Sequence, residues 1–160
     1  MRAAITAGSI CLLAAGAEGL FAGSGVRDRL ASLRQPRLSP PFPIWVAIGA
    51  GYYVICFTLL YRLVGAVNGP GGPPILALCC LGFLLFVNAL WNYFFFRRRD
   101  LRASLLLNIP YVAIAIVLAG SLASRGDGSI WVFAPYLVYL AYAVYYGYAT
   151  WRLNDASQVG

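Results

Sequence analysis

The sequence contains no lysine and no histidine, and its only charged residues are twelve arginines and five acids among 160 positions. A soluble globular domain devotes about one quarter of its residues to charge, whereas this chain devotes 11%. It cannot cover a water-facing surface. Without histidine there is no Ser-His-Asp or Cys-His arrangement, so conventional hydrolytic chemistry is excluded. The four cysteines, Cys11, Cys56, Cys79 and Cys80, are scattered without metal-ligand spacing. No glycine-rich phosphate loop follows a strand pattern, and no metal or obligatory cofactor is expected. The alternating apolar and polar residues of a β-barrel strand are missing as well.

Apolar length is what the chain has in abundance. It is 61% hydrophobic, with a mean hydropathy of +0.75. Five apolar runs occupy residues 3–23, 44–64, 75–96, 103–122 and 130–150. Each holds the roughly 20 residues that a helix needs to cross about 30 Å of hydrocarbon. The segments "RQPRLSPPFP", "NGPGGPP", "RRRD" and "SRGDGS" separate them. The first run extends beyond a signal-peptide core and is read as a span. The chain is therefore predicted to be an all-α membrane protein, a single domain over residues 1–160 folded as a bundle of five transmembrane helices.

Charge sets the expected orientation. With five spans, Arg2, Arg62 and Arg125 fall on one side, and Arg27, Arg29, Arg34, Arg37, Arg97, Arg98, Arg99, Arg102 and Arg152 on the other. The positive-inside rule predicts an outward N-terminus and a cytoplasmic C-terminus. Topology accounts for the basic clusters, so no nucleic-acid partner is expected.

Polar side chains at membrane depth mark a candidate site. In "FVNALWNYFFFRRRD", Asn88 and Asn92 are one turn apart, and Trp91 and Phe95 form a second four-residue pair on an adjoining strip. An amide in hydrocarbon needs another helix, a water or a ligand as its partner, so interhelical bonding and a ligand pocket both fit. Tyr136, Tyr139, Tyr142 and Tyr146 fall within about 120° of one another on a helix, either as packed core or as a wall for a planar ligand. Glu18 is the one acid inside a span. Charge at that depth costs at least about 2.5 kcal/mol, which makes it a functional candidate. The opposing reading pairs it with Arg27 or Arg29 near the boundary.

Three stretches together resemble the translocator protein (TspO) family, the tryptophan-rich sensory proteins or peripheral benzodiazepine receptors. "LRQPRLSPPFPIW" is similar to the family's first loop, with its Pro-Pro pair at Pro40 and Pro41. "NALWNYFFFRRR" resembles the third-helix signature, and "APYLVYLAYAVYYGYATWRLN" the fifth, from Pro135 and Tyr136 to Arg152 and Asn154. The resemblance implies a five-helix bundle, often a homodimer, with a cavity open toward the first loop. The ligands it implies are porphyrin, haem, sterols and synthetic isoquinolines or benzodiazepines. It assigns Asn88, Trp91, Phe95 and Tyr139 to the cavity, together with Pro41, Gly49, Tyr53 and Tyr142. Arginines at the cytoplasmic rim are expected to reach porphyrin propionates. A permissive sterol motif is met by Val144, Tyr148 and Arg152.

The chain also departs from the family pattern. Arg29, Pro43 and Gly49 stand where members usually carry tryptophan, and Tyr139 replaces the fifth-helix tryptophan. The second- and fifth-helix indoles are implicated in light-dependent porphyrin degradation by some bacterial members. Their replacement by Gly49 and Tyr139 argues against that activity. The function expected is a non-catalytic receptor or carrier for tetrapyrroles or similar flat hydrophobic ligands. The alternatives are a porphyrin-degrading enzyme and a proton-coupled exporter using Glu18, in the manner of small multidrug-resistance transporters.

Overall fold

The long apolar runs become helices, and proline, glycine and aspartate set their ends. A computed structural model describes residues 1–69 and 73–155. Helix α1 spans Arg2–Ala22 and stops at Gly23, whose φ of 73° lies in the left-handed region that glycine tolerates. Helix α2, Val26–Ser32, is short and sits in the loop that follows. Helix α3, Phe42–Gly65, opens on Pro43, where a missing N–H costs nothing because the first turn has no partner for it. Helix α4 runs over Ile75–Asn92 and continues as a π-helical segment, Tyr93–Arg97. The fourth span consists of α5, Leu101–Leu106, and α6, Asn108–Ser124. Helix α7 covers Ser129–Asp155. There is no strand among the described residues. Of the break read at "NGPGGPP", residues 70–72 lie outside the described residues.

Five helical stretches, Arg2–Ala22, Phe42–Gly65, Ile75–Arg97, Leu101–Ser124 and Ser129–Asp155, are long and apolar enough to cross a bilayer. The boundaries differ from the sequence reading in two informative places. The fourth span begins at Leu101 and is interrupted at Leu107. Pro110, in the first turn of α6, lacks the N–H that would bond back across that interruption. The fifth span runs on to Asp155, past the residue 150 read from apolarity alone.

The "RRRD" stretch ends the third span by geometry as well as by charge. The Arg98 N–H donates to the Tyr93 carbonyl at 2.9 Å, and the Asp100 N–H donates to that of Phe94 at 2.9 Å. Arg99 takes φ 58°, the one positive φ outside glycine among the described residues. The Asp100 side chain then accepts from the Ala103 N–H at 2.9 Å and caps α5.

The spans close into a ring. Helix α1 packs on α3 and α4, α4 on α6, α6 on α7, and α7 on α3. The ring is solid at one end only. Leu59 and Leu63 of α3, Leu81 and Leu84 of α4, Leu118 and Leu122 of α6 and Phe133 of α7 are fully enclosed there. These residues lie toward the α3–α4 and α6–α7 connections. Outward-facing Leu12, Leu13, Val138 and Trp131 are about three-quarters exposed, as expected of side chains that meet lipid.

Candidate functional site

At the opposite end the helices part around a chamber of about 280 Å³. Glu18 of α1, Trp45 and Gly49 of α3, Asn88 and Trp91 of α4 and Tyr139 of α7 are among the residues lining it. The π-helical segment contributes Phe95 and Phe96. Its wider turn brings two consecutive aromatic side chains to the chamber, and π-bulges often occur at functional sites. Trp91 stacks on Phe95 with centroids 4.6 Å apart and planes 15° from parallel. Trp45 meets Tyr146 at 4.8 Å, and Tyr52 meets Tyr136 at 5.2 Å. A Cβ built on Gly49 would meet nothing within 4 Å, so the missing wall side chain leaves open space.

Glu18 does not pair with Arg27 or Arg29. The ion pairs among the described residues are Arg102–Asp155 and Arg125–Asp127. Instead, the Asn88 amide donates to the Glu18 carboxyl at 2.6 Å, joining α4 to α1. Tyr53 also lines the chamber. Its hydroxyl approaches the same carboxyl without reaching hydrogen-bond geometry. Asn92 donates to its own helix, to the Asn88 carbonyl at 3.0 Å. The two readings left open for the asparagines therefore coincide in Asn88, which makes an interhelical bond and also faces the chamber.

The first loop roofs this end. Val26 and Leu30 of α2 line the chamber. The Arg29 guanidinium donates to the carbonyls of Phe95 at 3.4 Å and Arg99 at 3.2 Å, satisfying groups that the end of the third span leaves free. Burial, and then the neighbouring Arg99 guanidinium, press the Arg29 pKa below the ordinary arginine range. On the other side, Asn154 exchanges two bonds with the Arg34 backbone, and Tyr146 donates to Gln35 at 2.9 Å. Tyr142 donates to the Leu38 carbonyl at 2.8 Å.

Six of the residues assigned to the cavity from sequence meet in the chamber: Gly49, Tyr53, Asn88, Trp91, Phe95 and Tyr139. Pro41 and Tyr142 do not line it. Pro41 is the N-cap of α3, and Tyr142 is held by the loop carbonyl. Val144, Tyr148 and Arg152 lie one turn apart along α7, with Tyr148 exposed, and they too stay outside the chamber.

The arginines stand beside the chamber and not on its wall. Arg29, Arg98, Arg99 and Arg102 line a separate polar pocket of about 720 Å³ beside Trp151. The two sites adjoin where Arg29 bonds the Phe95 carbonyl. Trp45 and Tyr52 were not singled out from sequence, and Phe96 only as part of the third-helix signature. Trp45 carried a hint of its own, an indole directly after "PPFPI".

This is an integral, multi-pass membrane protein. No individual curated protein matches the chain. Residues 7–152, from the first span to the last turns of the fifth, match the TspO/MBR family, and with its five-span ring this chain belongs to that family.

Proposed function

We propose that this protein is a non-catalytic membrane receptor or carrier that takes flat hydrophobic ligands into the aromatic chamber, with tetrapyrroles such as porphyrin or haem, or sterols, as the ligand class. One observation supports this reading above others: Asn88 and Trp91 share a wall of a cavity that the first loop roofs. A volume of about 280 Å³ lies just below the usual range of ligand sites, roughly 300–1,000 Å³. A tetrapyrrole would enter edge-first and leave its propionates near the basic pocket lined by Arg29, Arg98 and Arg99. Protoporphyrin binding, followed through the ligand's own absorbance, is expected to weaken about three- to tenfold in Asn88→Ala and Trp91→Phe, the range of one lost stacking or polar contact. Affinity unchanged in both variants would remove the chamber from the reading.

On the same reading the arginine-rich end faces the cytoplasm, because nine arginines stand there against three at the other end. A green fluorescent reporter fused after Gly160 is expected to fluoresce, and an alkaline phosphatase fused there to stay inactive. The reverse pattern would invert the topology.

A further inference from the structure

The charge inside the chamber has the wrong sign for an anionic ligand. Glu18 is the only acid on its wall and no arginine accompanies it. The carboxyl is half-buried, and its hydrogen bond comes from a neutral amide, so no cation of the protein offsets it. Around it, ten of the eighteen lining residues are aromatic, and ring faces carry the negative side of the quadrupole. Both features attract positive charge, and they do so most strongly where water is excluded. The basic groups lie outside, in the adjoining pocket behind Arg29.

We propose that the deep end of the chamber binds compact hydrophobic ammonium cations, with Glu18 as counter-ion and the rings of Trp91, Tyr53 and Tyr139 as walls. The inference rests on the chamber being a ligand site and adds the sign of charge that it selects. A volume of about 280 Å³ suits a ligand of about two fused rings with a small cationic head. A tetrapyrrole would reach this deep end with one edge only, its carboxylates staying toward the basic rim. The chamber is thus bipolar, negative within and positive at its edge.

The test compares (2-naphthylmethyl)trimethylammonium with its uncharged carbon isostere, 2-neopentylnaphthalene. The two have the same shape and differ in charge. Binding is measured by equilibrium dialysis against the protein in nanodiscs of zwitterionic lipid, with empty discs subtracted. The cation is expected to bind at least about tenfold tighter than the isostere. Glu18→Gln keeps an acceptor for Asn88, so it should bring the ratio below about threefold while the isostere's affinity stays within about twofold, which also reports an intact chamber. Glu18→Asp keeps the charge and should retain a preference above about threefold. Equal affinities in the unaltered protein would overturn the proposal and leave the chamber standing as a ligand site. A preference that survives Glu18→Gln would overturn Glu18 as counter-ion. No binding of either compound above empty discs would overturn both this proposal and the chamber reading.

Discussion

Asn88→Leu is expected to lower the stability of the folded bundle by about 2 kcal/mol, and adding Glu18→Leu should recover most of that loss. The reason lies in the 2.6 Å bond that the Asn88 amide donates to the Glu18 carboxyl. Neutral interhelical bonds within membranes average about 0.6 kcal/mol and reach about 1.7 kcal/mol. A bond to a charged group is worth more, about 1.5–3 kcal/mol, because removing the donor leaves the carboxylate desolvated and unpaired. Replacing both partners removes the unpaired group along with the bond, so the double variant should approach the parent. Glu18→Leu alone should cost less than Asn88→Leu, since an amide tolerates a lost acceptor better than a carboxylate tolerates a lost donor. Reversible unfolding in mixed micelles, analysed as a double-mutant cycle, measures each term. Simple additivity of the two losses would show that the α1–α4 bond is not what holds this corner together.

The second large effect is expected at the other end of the ring. Phe133→Ala should destabilise the bundle by about 2 kcal/mol and leave ligand binding unchanged. Phe133 is 2% exposed, enclosed with Leu59, Leu63, Leu118 and Leu122. In water its loss would cost about 3–5 kcal/mol. In lipid the transfer contribution falls away, since acyl chains are as apolar as the core. The void remains: roughly 100 Å³ at about 24 cal/mol per Å³ gives about 2 kcal/mol. Protoporphyrin affinity should stay within about twofold, because Phe133 does not line the chamber and meets its wall only at Tyr136, 5.5 Å between ring centroids. A binding defect equal to that of Trp91→Phe would mean that the two ends are mechanically linked, contrary to the separation of packed end and open end.

The two predictions express the same division of labour. Small and branched apolar side chains seal the ring near the α3–α4 and α6–α7 connections, where Ala77, Ala115 and Leu118 are fully enclosed. At the α2 end aromatic side chains make up most of the chamber wall. At Gly147 a built Cβ would lie 3.2 Å from the Asn108 amide, so α6 and α7 stay close there because glycine has no side chain. Gly49, on the neighbouring helix α3, leaves space instead. The same residue type serves close packing at one site and cavity volume at the other.

Much of this was legible in the sequence. Five runs of about 20 apolar residues define five spans because a bilayer core offers the backbone no hydrogen bonds and leaves the helix as the affordable conformation. The arginine asymmetry and the charge of the "RRRD" stop could be read directly, whereas the backbone turn at Arg99 that completes the stop could not. Asn88, Trp91 and Glu18 stood out because polar and indole groups at membrane depth are costly or specialised, and Phe95 because it lies one turn from Trp91. Helix α2 was not visible: seven residues, Val26–Ser32, carry too little periodicity, and their helix is held by Arg29 reaching the π-helical segment.

By itself, then, the sequence determined the class of fold, the number of spans and the identity of the polar residues, since each depends on solvent preference summed along one segment. Only the tertiary structure decided who meets whom. Whether Glu18 would find an arginine or an asparagine depended on how α1 packs against α4, and Tyr142 was turned away from the chamber by a carbonyl of a distant loop. The exclusion of every arginine from the chamber wall was decided in the same way. Contacts between segments far apart in the chain are fixed by ring order and helix rotation, and neither quantity is written in the hydropathy of any single stretch.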